Sequence, residues 1–128
     1  LLDSLTRQTL RDFEVVIVED GSAVPCKEIV DQYADRLAIC YYYKENSGPG
    51  QTRNYGVERA NGEYMLILDS DCILPEGYLQ AVEAELQRKK ADAFGDHHKE
   101  HLPRLIFQPH FHQTEHGFFL LQKLMKHF

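Results

Sequence analysis

Apolar residues along the chain come in two alternating patterns. In "FEVVIVEDGS" an unbroken β-branched run at 15–18 ends on two acids and a glycine, the pattern of a strand buried on both faces. The stretch from Cys26 to about Arg36 then places Ile29 and Tyr33, with Leu37 just after it, at i, i+4 and i+8, with Val30 and Ala34 beside them, which predicts one apolar helical stripe. "LAICYYY" reads as a second strand. "GPGQTRNYGVERANG" reads as a second helix, with Pro49 suited to its first turn and Gly62 to its exit. "EYMLILD" is a third strand, and Pro75 opens a third helix whose core face is Leu79, Val82 and Leu86. "ADAFG" offers a fourth strand. "LLDSLTRQTL" reads as the last turns of a helix whose beginning is missing, so the chain reads as a fragment. Strand alternating with helix through short connections predicts an α/β fold: an open, mostly parallel sheet with helices on both faces.

That architecture gives the acids a place. Ligands of open α/β sheets bind outside the carboxyl ends of the strands. The polar stretches 19–22, 46–48 and 69–71 all follow predicted strands, so they converge on one edge. Asp69 and Asp71 stand at i and i+2 in extended chain, on one side and about 7 Å apart. At about 4 Å two such charges repel by about 1 kcal/mol in water and about 4 kcal/mol near a protein surface. A divalent cation or a set of amide and hydroxyl donors would relieve this, and a hard oxygen pair suits Mg²⁺ or Mn²⁺ rather than zinc. The competing reading is a solvated loop in which Asp69 caps a turn.

Charge and composition narrow the class. The 128 residues carry a formal charge of −6, which argues against nucleic acid as a partner. There is no 18-residue apolar stretch and no signal-peptide pattern, so no membrane span is expected. Cys26, Cys40 and Cys72 fit no C-x-x-C spacing and read as reduced thiols of a cytoplasmic protein. The composition breaks near residue 96: the balance is −8 with no histidine before it, and +2 with all seven histidines after it.

In "LLDSLTRQTLRDFEVVIVEDGS" followed by "NSGPGQTRNYGVERANGEYMLILDSDCILPEGYL", the order of D-G-S, then N-x-G with R-N, then L-D-x-D resembles the nucleotide-sugar-binding half of family 2 glycosyltransferases, which have a GT-A fold. The resemblance covers residues 1 to about 95 and defines two regions, a partial nucleotide-sugar-binding domain over 1–96 and a His-rich tail over 97–128. It implies that Asp20 accepts a hydrogen bond from the nucleotide base, usually uracil. Asn46, Gly48 and Arg53 match the motif that closes over the nucleotide. Asp69 would lie near the ribose or donor sugar, and Asp71 would hold Mg²⁺ or Mn²⁺ bridging the diphosphate. The implied reaction moves a sugar from a nucleoside diphosphate, with UDP-sugar as the expected donor, to a hydroxyl acceptor with inversion.

The chain also departs from the family pattern. The Pro-x-Tyr/Phe-Asn first strand and the later E-D motif that supplies the base are absent, and Glu100 and Glu115 stand isolated. No catalytic residue is therefore named, and sugar transfer by these 128 residues is expected to be undetectable. The alternatives are a non-catalytic nucleotide-sugar-binding or scaffold fragment and, third, a nucleotidyltransferase. In the tail, His97, His98 and His101 would share one side of a helix, and His110, His112 and His116 have a spacing a zinc ion could use, with no Cys or carboxylate positioned to complete the site. Phe118, Leu121, Leu124, Met125 and Phe128 are spaced as an amphipathic helix. Loss of the family's first strand would expose an apolar face and favour self-association, unless that tail helix folds back over the gap.

Overall fold

The structure, a computed structural model, describes residues 1–62, 64–89 and 118–124. The element order is α1 (Leu2–Thr6), β1 (Phe13–Asp20), α2 (Lys27–Asp31), β2 (Ile39–Lys44), α3 (Pro49–Val57), β3 (Tyr64–Asp69), α4 (Tyr78–Lys89) and β4 (Phe118–Leu124). The strands form one sheet in the order β2-β1-β4-β3. β1 and β2 pair in parallel, while β4 runs antiparallel to both β1 and β3. It follows that β1, β2 and β3 share one direction and that β4 alone is reversed. This is the α/β architecture that the alternating pattern predicts.

β1 is the spine. All eight of its residues are buried, including Glu14, Glu19 and Asp20. Its side chains alternate between two cores. Val15 and Ile17 join Leu5, Val30, Leu66, Leu68, Leu79, Val82 and Leu86, which places α1, α2 and α4 on one face. Val16 and Val18 face the other way, against Tyr42, Tyr55, Ala60 and Ile67, with Tyr55 contributed by α3. Helices therefore cover both faces, and each fully buried valine or leucine contributes about 1.5–3 kcal/mol.

α4 follows its expected stripe, with Leu79, Val82 and Leu86 all buried. Its first turn is stitched to the segment following α1 by Gln8. The Gln8 amide donates to the Ser4 and Pro75 carbonyls at 3.1 and 2.7 Å and accepts from Leu79 N at 3.1 Å. Ser4 Oγ in turn accepts from Leu74 N at 3.1 Å. These bonds satisfy backbone groups at the entrance to α4 that would otherwise be buried without partners, and they pin the segment leaving β3.

Two expectations are corrected. α2 stops at Asp31 and continues as turns, so its inward residues are Val30 and Leu37, while Ile29 is 58% exposed. A five-residue helix cannot hold the phase of a longer stripe. The tail segment Phe118–Leu124 is a strand, not an amphipathic helix. Its run "FFLL" is apolar without interruption, and β1 and β3 offer it ladders on both sides. The gap beside β1 is thus filled, but by a strand. The fourth strand expected in "ADAFG" and the histidine clusters at 97–101 and 110–116 lie outside the described residues.

Candidate functional site

The chain leaves β1 for β2 on one side, then crosses back past β1 to reach β3 on the other. The carboxyl end of β1 is therefore a topological switch point, where a crevice opens in open α/β sheets. One wall is the turn after β1 with the loop after β2, and the other is the end of β3. Val18 and Asp69 face the same β4 residue, Phe119, so the two walls end level. Two strand spacings set them about 10 Å apart.

On the first wall, Glu19 and Asp20 point to opposite faces, as successive strand residues must. Glu19 is wholly buried and structural: it accepts from Cys26 N at 3.1 and 3.3 Å and from the Tyr41 hydroxyl, anchoring the start of α2. Burial and the charge of Glu19 push the Cys26 thiol up to about 11. Asp20 is 4% exposed and organises the loop of Asn46, Ser47 and Gly48. Its Oδ1 accepts from Ser47 N at 3.0 Å and its Oδ2 from Gly48 N at 3.0 Å, while the Asn46 amide donates to the Asp20 carbonyl at 3.0 Å. Lys44 Nζ lies 2.5 Å from Oδ1. Burial works to raise the Asp20 carboxyl, but hydrogen bonds led by that from Lys44, together with its charge, outweigh burial and hold Asp20 below its ordinary value.

Two glycines make this packing feasible. Gly21 has φ +74°, and a Cβ there would lie 2.7 Å from Asn46 N. Gly48, at φ +86°, is the N-cap of α3 and Pro49 follows at its first position. Gly21→Ala is expected to cost about 1–3 kcal/mol, from left-handed backbone strain together with displacement of the Asn46 loop. Thermal unfolding checks this, and a melting temperature equal to the parent's would contradict it.

Of the remaining predicted residues, Arg53 is half-buried on α3, the helix that Gly48 caps. Ser22 is buried in the same turn as Asp20; its carbonyl accepts from the Tyr43 hydroxyl at 3.1 Å, and its own hydroxyl has no hydrogen-bond partner among the described residues. Asp69 and Asp71 are both exposed on the second wall, where Cys72 N closes a turn onto the Asp69 carbonyl at 3.1 Å. Burial raises the Cys72 thiol, and the charges of Asp69 and Asp71 add to the shift.

Among the described residues no group of three or more His, Cys, Asp or Glu side chains is gathered as a metal cage. The exposed pair nonetheless fits a hard cation of the Mg²⁺ type, which takes one or two carboxylates and completes its shell with phosphate oxygens and water. Asp20, Asn46 and Gly48 are thus joined in one network, and Asp69 and Asp71 form the facing wall. Lys44 is the participant that motif reading leaves out. Its signal is its register, since it is the Cα partner of Asp20 across the β1–β2 ladder.

Comparison with known proteins finds glycosyltransferases. The chain is 35% identical over 95 residues to the uncharacterized glycosyltransferase EpsJ of Bacillus subtilis, covering 73% of this chain and 28% of EpsJ. It is 31% identical over 93 residues to the glycosyltransferase GlyG of Streptococcus pneumoniae, covering 71% of this chain and 31% of GlyG. The putative glycosyltransferase EpsH of Bacillus subtilis is 38% identical over 82 residues, covering 62% of this chain and 23% of EpsH. The chain spans less than a third of the length of each of these relatives. No solved structure matches it. The match to glycosyl transferase family 2 runs over residues 1–127, with both crevice walls and the strand between them inside it, and the chain belongs to that family of enzymes.

Proposed function

We propose that the crevice binds a nucleoside diphosphate sugar, with uridine as the nucleoside, and serves inverting transfer of the sugar to a hydroxyl acceptor. The observation that carries this reading is the strand order, which sets the Asp20 network and the Asp69–Asp71 pair at the carboxyl ends of β1 and β3, level with each other on one edge of the sheet. A carboxylate only accepts hydrogen bonds, which suits Asp20 to an imide N–H of a base. Asn46 and Gly48 would close over the nucleotide, with Arg53 supporting the diphosphate. Asp71 would hold Mg²⁺ or Mn²⁺, and Asp69 would face the ribose or sugar. The cation supplies Lewis-acid neutralisation of the leaving diphosphate. Among the described residues no helix is long and apolar enough to cross a membrane. Cys26, Cys40 and Cys72 are all free thiols, which supports a reducing, cytoplasmic setting.

Calorimetric titration of the 128-residue chain with UDP tests the reading. Binding is expected to be tighter with Mn²⁺ than in chelator. Equal affinity in both would remove the metal from the site, and no binding by UDP or by any other nucleoside diphosphate would remove the donor.

A further inference from the structure

We infer that Lys44 is a positioning residue of the donor site, acting through Asp20 and the loop of Asn46, Ser47 and Gly48 rather than on the donor itself. The inference rests on the proposed donor reading and adds a residue to it.

The valences of Lys44 support the assignment. An ammonium group has three N–H donors. Lys44 Nζ lies 2.5 Å from Asp20 Oδ1, 2.5 Å from Ser47 Oγ and 2.6 Å from the Glu45 carbonyl, with Thr52 Oγ1 further off at 3.4 Å. Its capacity is filled by its own chain, leaving no N–H for a phosphate. The side chain is 15% exposed and that of Asp20 3%, so the pair is largely screened from water and neither charge is free to swing away.

Asp20 is in the complementary position. The donors to this carboxylate come from the chain itself: Lys44, Ser47 N and Gly48 N, with the Thr52 hydroxyl acting on it as well. Lys44 cancels the charge of Asp20. A diphosphate entering a crevice already lined by Asp69 and Asp71 then meets one fewer uncompensated negative charge. By holding Ser47, Lys44 also fixes the entry to α3 at Gly48, where the first-turn N–H groups begin.

A mutational cycle read by calorimetry with UDP and Mn²⁺ tests this, with circular dichroism confirming that each variant is folded. Lys44→Met is expected to weaken binding by about tenfold, the loss of one charge-assisted contact's worth of organisation. Lys44→Arg, which keeps the charge and offers several N–H donors, should recover most of that loss. If Lys44 acts through Asp20, the double variant Lys44→Met with Asp20→Asn should bind no more weakly than Asp20→Asn alone. Losses that multiply would mean that Lys44 touches the donor directly and would overturn the inference. So would wild-type affinity in Lys44→Met, or a Lys44→Arg variant as weak as Lys44→Met. If Lys44→Met fails to fold, the comparison of Lys44→Arg with the parent and a Lys44→Gln variant decides the same question. Absence of UDP binding in the parent would instead remove the donor reading, and this inference with it.

Discussion

Deleting residues 97–128 is expected to abolish cooperative unfolding and drive the remaining chain into association. β1 and β3 are not adjacent in the sheet: all pairing between the two halves runs through β4, from Phe13↔Leu124 to Glu19↔Phe118 on one side and from Tyr64↔Leu124 to Asp69↔Phe119 on the other. Without β4, two fully formed strands present open edges in the middle of the molecule. The Val15/Ile17 and Leu66/Leu68 contributions to one core lose the element that holds them in register. A domain of this size has roughly 5–15 kcal/mol in hand, and loss of a central strand exceeds what that margin tolerates. Leu121→Pro is a gentler form of the same test, because it removes one ladder N–H at the position paired with both Val16 and Ile67. Sedimentation at micromolar concentration and thermal unfolding by circular dichroism would read both. A truncated chain that stays monomeric and melts in one sharp step would show that β4 does not join the halves.

The second large effect is expected at the facing wall. Asp71→Asn should remove the difference between UDP binding with Mn²⁺ and in chelator, lowering the affinity with metal by roughly tenfold or more, as loss of an interaction worth about 1.5–3 kcal/mol requires. Asp69 and Asp71 are exposed, with Cys72 N bonded to the backbone of Asp69 and not to its carboxylate. The substitution should therefore leave the melting temperature within about 1 °C of the parent, as surface changes away from structural partners do. Calorimetry with and without metal, beside a thermal melt, separates the outcomes. Undiminished metal dependence in Asp71→Asn would move the cation to other ligands, and a large loss of stability would make Asp71 structural.

Much of this arrangement is legible in the chain before any coordinates. The β-branched run at 15–18 and the Leu79, Val82, Leu86 stripe are strong because each pattern is long relative to its element and is buried as predicted. Gly21 and Gly48 both have positive φ. The tail was ambiguous for a physical reason. A seven-residue segment with five apolar residues satisfies helical and extended periodicity about equally well, and only the two strands on either side decide it. Ile29 was misassigned because α2 has barely more than one turn, so a one-position change in phase exchanges Ile29 for Val30. Lys44 and Gln8 were illegible for a different reason. Each is an ordinary polar residue whose role depends on strand register or on a contact with a segment some 67 residues away. Pairings of that kind exist only in the assembled fold.

The place of β4 also orders events in time. Residues 1–89 contain every helix and strand of the described structure except the one that joins its halves. During synthesis, which delivers about 5–20 residues per second, β1, β2 and α3 can pair and pack early because their contacts are close in sequence. The sheet nonetheless remains two separate pieces until residue 124 has emerged, and its closing contacts then link residues about a hundred positions apart. The inner edges of β1 and β3 therefore stay unpaired for roughly several seconds of synthesis.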